Sequence, residues 1–420
     1  MSKNSYVRLV KTNRTYRRFW LAAFVSMFGE WFNTIALFLL ILEYTDSELL
    51  LGILMAVRMG SFALMQPLFG LLADRVNRKK LMIITNVFQI GLALAFIGVN
   101  GPEDMWWMFT ISGIMMALHG LYVTAERAAL PNIVSEEDLA TANALDSATW
   151  SAALCFGAFS GGVVVSEYGV NAAFIIDSIT FLFGTLMLLP LVIPQTYDKS
   201  SEGSIIKSSL KDIWLGQKRI QSEPRLLRII FAKTSWNIAG GGLAGVFLVL
   251  AGNEITFVGA ALGFGIFFFA RGIGTGIGPI LARSIFKDST KWPKMVGLLI
   301  IVSGLFYVLV GLSLGGPILL TLALVTLAHT AGGNWVLSTV LTQQWVEDEM
   351  RGRVFSTDML LMSIGQVIST ISAGYLIEHE IVNLQQGILA YSILMVVSGI
   401  IFTLWNPKAQ GKLREDTLAV

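Results

Sequence analysis

The chain has 420 residues and a formal net charge of only +2; 54% of its residues are hydrophobic, 14% are charged, and the mean hydropathy is +0.67. A soluble domain carries roughly 25% charged residues, so a water-soluble enzyme is excluded, as are disordered, collagen-like and coiled-coil chains. The near-neutral charge offers no basic face for nucleic acid, and one cysteine, Cys155, with the histidines His119, His329 and His379, makes neither a disulfide nor a zinc-type cluster, so no metal or cofactor is expected.

A helix crossing the ~30 Å hydrocarbon core needs about 20 mainly apolar residues. The polar, basic stretch from Met1 to Arg18 runs straight into the first such segment with no small-residue cleavage site, so the segment reads as a retained span. Twelve spans are predicted in chain order: 18–42, 49–73, 80–99, 104–130, 139–166, 170–193, 226–251, 255–282, 294–313, 317–344, 354–377 and 384–405. The fifth, eighth and eleventh are rich in glycine and other small residues, which lets helices approach closely.

Lys and Arg gather in alternate connections. One set holds Lys3 to Arg18, Arg75 to Lys80, Lys199 to Arg228, Arg283 to Lys294, Arg351 and Arg353, and Lys408 to Arg414. The other holds Glu43, Asp46, Glu48, Glu103, Asp104, Glu167, Glu254, Glu378 and Glu380, with no Lys or Arg. The positive-inside rule then places both termini in the cytoplasm.

The longest polar stretch divides the chain into a six-helix N-terminal half (1–193), a cytoplasmic linker (194–225), a six-helix C-terminal half (226–405) and a cytoplasmic tail (406–420). The halves repeat faintly: Gly70-Leu-Leu-Ala-Asp74-Arg75 resembles Gly278-Pro-Ile-Leu-Ala-Arg283, and Val134-Ser-Glu-Glu resembles Val346-Glu-Asp-Glu. Two pseudo-symmetric halves are an architecture of secondary transporters, with the substrate site near mid-membrane. The fold class expected is an all-α membrane protein of twelve transmembrane helices.

Between the second and third spans stands Gly70-Leu-Leu-Ala-Asp74-Arg75-Val-Asn77-Arg78-Lys79-Lys80. It resembles the G-x-L-x-D-R-x-G-R-K loop of the major facilitator superfamily, with Asn77 at the second glycine as a residue that tolerates a left-handed backbone. Asn13 to Trp20, Gly29-Glu30-Trp31, Leu130-Pro-Asn-Ile-Val134 and Arg351-Gly-Arg-Val354 resemble the drug:proton antiporter branch that includes macrolide efflux proteins and the enterobactin exporter. That branch has a G-P-x-x-G-G motif in its fifth span; here Gly157-Ala158-Phe159-Ser160-Gly161-Gly162 lacks the proline. The resemblance implies that the Asp74 loop closes the cytoplasmic side against the fourth and eleventh spans; the gate candidates are Gly70, Asp74, Arg75, Arg78, Asp358 and the pair Glu126-Arg127, which is unusual for the branch. In that closure Asp74 meets the N-terminal end of the eleventh span, and Arg75 or Arg78 meets a carboxylate such as Glu126.

Charges within spans need a reason, since each costs some 2.5–3.5 kcal/mol at mid-bilayer even on the lenient scale. At ~1.5 Å per residue, Glu30 lies about 18 Å beyond Arg18, and Arg58 also falls near the middle. Glu30 reads either as half of a structural ion pair with Arg58 or as a carboxyl that loads and releases a proton. His119 and His329 are further candidates for proton coupling. Asp146, Asp177, Lys233, Arg271 and Asp358 lie nearer helix ends, as gate or interhelical groups. Trp31, Asn33, Gln66, Tyr122, Lys233, Trp236, Asn237, Asn334 and Trp335 are candidates to line a substrate cavity, with core packing the alternative for the tryptophans.

No P-loop, H-E-x-x-H or nucleophile elbow is present, so the chain reads as no enzyme. The function expected is proton-coupled efflux of a small amphipathic compound, a drug-like molecule or a siderophore, by alternating access. The setting is a bacterial cytoplasmic (inner) membrane, and the partners are substrate, protons and the lipid bilayer around a monomer. A lipid, siderophore or metal-complex transporter of the same fold is the alternative, followed by a scaffold or sensor.

Overall fold

The structure, a computed structural model, describes residues 4–195, 205–255 and 258–405. Their helices are α1 (Asn4–Thr12), α2 (Arg14–Thr45), α3 (Glu48–Arg75), α4 (Arg78–Ala95), α5 (Met105–Ala129), α6 (Glu136–Ala152), α7 (Ala158–Tyr168), α8 (Val170–Leu188), α9 (Ile205–Ser222), α10 (Pro224–Gly242), α11 (Leu248–Asn253), α12 (Ala260–Ile285), α13 (Trp292–Ser313), α14 (Ile318–Thr330), α15 (Gly333–Trp345), α16 (Asp348–Glu378) and α17 (Leu384–Leu404). No strand occurs among the described residues. Twelve helical segments are long and apolar enough to cross a membrane, with α6–α7, α10–α11 and α14–α15 each counting as one.

Local chemistry sets the boundaries. Asn13 ends α1 and caps α2, its side chain accepting from the Tyr16 N–H at 2.9 Å. Gly169, at φ +81°, reverses the chain between α7 and α8 in one residue, a conformation strained for any residue with a Cβ. Pro224 sits in the first turn of α10, where its missing N–H costs nothing. A reciprocal Asn383–Gln386 capping box opens α17.

The structure adds detail within the predicted spans and the linker. The fifth and seventh spans are not uniform helices: each contains a π-helical turn, Ala153–Gly157 and Leu243–Phe247. The tenth breaks between α14 and α15. The segment expected as a polar linker contains α9, an amphipathic helix that a search for 20-residue apolar runs passes over. Its Ile220 is buried, Lys211, Trp214 and Lys218 are exposed, and Arg219 grips Glu347 with two 2.9 Å hydrogen bonds. Asn77 is not left-handed either: at φ −58° it caps α4, accepting from the Lys80 N–H.

By packing, the chain divides into two compact units. The first comprises Met1–Ser47, Val57–Ile205 and Val249–Gly272. Within it α2 packs on α7 and α8, and α4 on α5 and α8, around a core that includes Tyr16, Phe19, Met82, Tyr122 and Leu188. The glycines of the fifth span bring it against α2. A Cβ on Gly161 would lie 3.1 Å from the Phe32 Cα and 3.2 Å from the Trp31 carbonyl, closer than nine in ten real contacts.

The second unit comprises Glu48–Ala56, Ile206–Leu248 and Ile273–Val420. Here α13 packs on α17, and α10 on α16 and α17. Ile220, Leu226, Ile230, Val346 and Val354 form a smaller core where α9, α10 and α16 meet.

Candidate functional site

In the first unit, Glu30 falls at the middle of the 32-residue α2, where one turn on it is followed by Thr34. Its Oε1 accepts from Arg58 of α3 at 3.1 Å, and its Oε2 lies 3.4 Å from Nδ1 of His119 on α5. Arg58 also donates to Thr34 Oγ1 at 3.1 Å and Ser112 Oγ at 3.2 Å. Thr34 in turn donates to the Glu30 carbonyl at 2.9 Å, so its hydroxyl both supports the helix and receives the guanidinium.

Burial across this constellation is graded. The Arg58 side chain is 5% exposed, whereas those of Glu30 and His119 are each 21% exposed. The cation is therefore sealed in, while the carboxylate keeps one edge toward solvent. The arrangement can hold a carboxylate against a fixed positive charge and pass a proton at its open edge.

The expected gate is placed only in part. Gly70 and Asp74 lie in the last turns of α3, and the Asp74 side chain falls outside the described residues. Arg75 is half-buried. Arg78 donates to the carbonyls of Ala73 at 3.1 Å and Ala128 at 2.8 Å, so it docks on the negative C-terminal end of α5. Glu126 is buried within electrostatic reach of Asp146 and Arg127, and the Arg127 side chain is exposed.

Gln195, which has no motif around it, holds the turn between α3 and α4. It donates to the carbonyls of Ala73 (3.3 Å) and Val76 (3.0 Å) and accepts from the Arg78 N–H at 2.9 Å. Thr34 and Ser112 were equally unmarked, although spacing offered a signal: Thr34 stands four residues after Glu30, and Ser112 seven before His119, on the same helix face.

The remaining candidates separate by unit. In the first, Trp31 packs on Phe268 with ring centroids 5.4 Å apart, Tyr122 belongs to the core, and Gln66 accepts from Thr124 at 3.4 Å. Asn33 is fully buried. In the second, Lys233 of α10 and Asp358 of α16, expected in a cavity and a gate, form one buried ion pair. The Lys233 ammonium also stands 4.7 Å from the ring centroid of Trp335, which is itself exposed. Asn237 donates to the Met362 carbonyl at 3.2 Å, Asn334 is fully buried and Trp236 half-buried. His329, a candidate for proton coupling, lies in the second unit, 2.6 Å from the Tyr307 hydroxyl.

Residues 19–331 match the model of the Major Facilitator Superfamily. The chain is 24% identical over 414 residues to the staphyloferrin A transporter of Staphylococcus aureus (strain NCTC 8325 / PS 47), covering 95% of this chain and 98% of that one. It is 22% identical over 397 residues to the putative bacilysin exporter BacE of Bacillus subtilis, covering 93% and 96%. Against two uncharacterized MFS-type transporters of Bacillus subtilis (strain 168), YfiS and YkuC, the match spans about half of either chain, at 25% and 24% identity. Among solved structures, a bacterial homolog of the human lysosomal transporter Spinster superposes with a TM-score of 0.71 at 15% identity, over 96% of this chain and 97% of that one.

Proposed function

The chain belongs to the Major Facilitator Superfamily as a multi-pass membrane transporter, and from that premise we propose that it exports a small amphipathic compound in exchange for protons, by alternating access, across a bacterial cytoplasmic membrane. The observation that carries the proton half of this reading is the Glu30–Arg58–His119 constellation. A proton arriving at the open edge of Glu30 neutralises the carboxylate and releases Arg58, and its departure restores the pair. Such a change biases two conformations only if the pair is stronger in one of them. The export half rests on the names of relatives, which include a bacilysin exporter and a macrolide efflux protein. The staphyloferrin A relative favours a siderophore as the second cargo class.

The gate of Asp74, Arg75, Arg78, Glu126, Arg127 and Asp358 and the cavity residues Gln66, Trp236, Asn237 and Trp335 stay part of this proposal, with both termini cytoplasmic. Growth of a deletion strain against macrolides, peptide antibiotics and siderophores identifies a cargo. Proteoliposomes loaded with that cargo then test the coupling. Glu30→Gln is expected to exchange cargo down its gradient but to lose accumulation driven by an imposed pH gradient. Undiminished accumulation by Glu30→Gln overturns the coupling role.

A further inference from the structure

On the adjoining face of α2 the first unit holds a seam of buried polar side chains that no motif marks. Ser26 and Asn33 of α2, Asn86 of α4 and Asp177 of α8 are all buried, Asn33 and Asp177 completely. The Ser26 hydroxyl, both amide atoms of Asn33 and of Asn86, and both carboxyl oxygens of Asp177 have no hydrogen-bond partner among the described residues. Close helix approach holds them together: Gly29 lies against Thr180, and Gly184 against Ser26 and Asn86. Asp177 stands beside the Asn33 amide and within electrostatic reach of both Glu30 and Arg58.

Buried polar groups are nearly always bonded, and those that are not mark a functional role or a site for water or an ion. A fully buried ionised carboxylate with only an amide beside it is the costliest group to keep there. The charges around it are few. Arg58 of α3 and Glu30 of α2 lie within electrostatic reach of it, with His119 of α5 beside Glu30; α4 carries charge only at its first turn, in Arg78, Lys79 and Lys80, and α7 only at its far end, in Glu167. Two carboxyls thus face one guanidinium. The two carboxyls and the guanidinium balance when the carboxyls hold one proton between them, a coupled pair rather than two independent acids.

We propose that Asp177 is a second proton-carrying carboxyl of this unit, sharing the Arg58 guanidinium with Glu30, so that a proton on one carboxyl leaves Arg58 to the other. When Glu30 is paired with Arg58, the proton resides on Asp177. When a proton binds Glu30 at its open edge, Arg58 turns to Asp177, which ionises and releases its own. One proton enters and one leaves, and the seam of Asn33, Ser26 and Asn86 supplies the polar lining along which it departs. This inference rests on the reading of Glu30 as the coupling group, but its test needs no cargo and stands apart from the accumulation assay.

Infrared difference spectroscopy of the purified full-length chain in lipid vesicles reads protonated carboxyls by their C=O stretch. Wild type is expected to show a protonated, buried carboxyl at neutral pH. Asp177→Asn abolishes that band, and so does Glu30→Gln, because each leaves one carboxylate matched to Arg58; Arg58→Met strengthens it. Asn33→Leu keeps every charge and is expected to shift the band without removing it, which preserves the test if Asp177→Asn fails to fold. A spectrum in which Asp177→Asn removes no protonated-carboxyl intensity, or a wild type that shows none, overturns the assignment. A band lost in Asp177→Asn yet unchanged in Glu30→Gln overturns the sharing, since Asp177 is then a solitary neutral acid.

Discussion

Replacing Arg58 with methionine isolates what the guanidinium does for the first unit. Arg58 is 4% exposed, and the substitution keeps an unbranched apolar stem while removing three contacts, to Glu30, Thr34 and Ser112. Thr34 keeps its bond to the Glu30 carbonyl, so its loss is small. Ser112 is fully buried, and an orphaned hydroxyl costs about 1–3 kcal/mol. The ion pair at 3.1 Å has a gross attraction of roughly 5 kcal/mol at an effective dielectric of ~20. Breaking a buried pair costs about 3–5 kcal/mol, and the partial exposure of Glu30 with His119 at hand puts this one toward the lower end. The expected loss is therefore about 4–6 kcal/mol in all. The sign of the rescue is the sharper test: Glu30→Gln/Arg58→Met has no unpaired charge and is expected to be more stable than Arg58→Met alone, by about 2 kcal/mol. Denaturation of the purified variants in one lipid or detergent system measures both. A double variant no more stable than the single one refutes the argument.

The other expectations concern packing and the connections. Gly161→Val pushes α2 from the fifth span and should lower stability by about 1–3 kcal/mol, whereas Gly91→Ala in α4, with nothing within 4 Å of its Cβ, should be neutral or stabilising by up to about 1 kcal/mol in the same melts. Gln195→Ala removes its own bonds to the Ala73 and Val76 carbonyls and to the Arg78 N–H, and faster hydrogen exchange at residues 76–78 is the readout. Glu347, outside the spans, is held below the usual carboxylate range mainly by its hydrogen bonds from Arg219. That contribution is complete above the unfolded carboxylate's pKa and is lost as pH falls through the lowered folded value. Exchange near Ser222 should rise across that acid range in wild type but not in Arg219→Gln.

Twelve spans were legible in the sequence because a bilayer imposes a length and a composition on each helix that packing cannot relax. The resemblance of the Asp74 loop carried the family, and helical depth alone paired Glu30 with Arg58, since both lie where a lone charge is too costly to leave. Other features were settled only by the tertiary structure. Lys233 and Asp358 are 125 residues apart, and nothing in either helix says that they meet. His329 shares the apolar setting of His119 but finds Tyr307 rather than a carboxylate. The amphipathic α9 lacks the apolar length that marks a span, and Gln195 acts through backbone carbonyls that any sequence supplies. Asp177 looked like a helix-end residue by position; its burial against Asn33 follows from how closely α2 and α8 approach at Gly29 and Thr180. Hydropathy records how each segment meets lipid, period by period. Which polar side chain faces which is decided by the rotation and spacing of packed helices, and those depend on all neighbours at once.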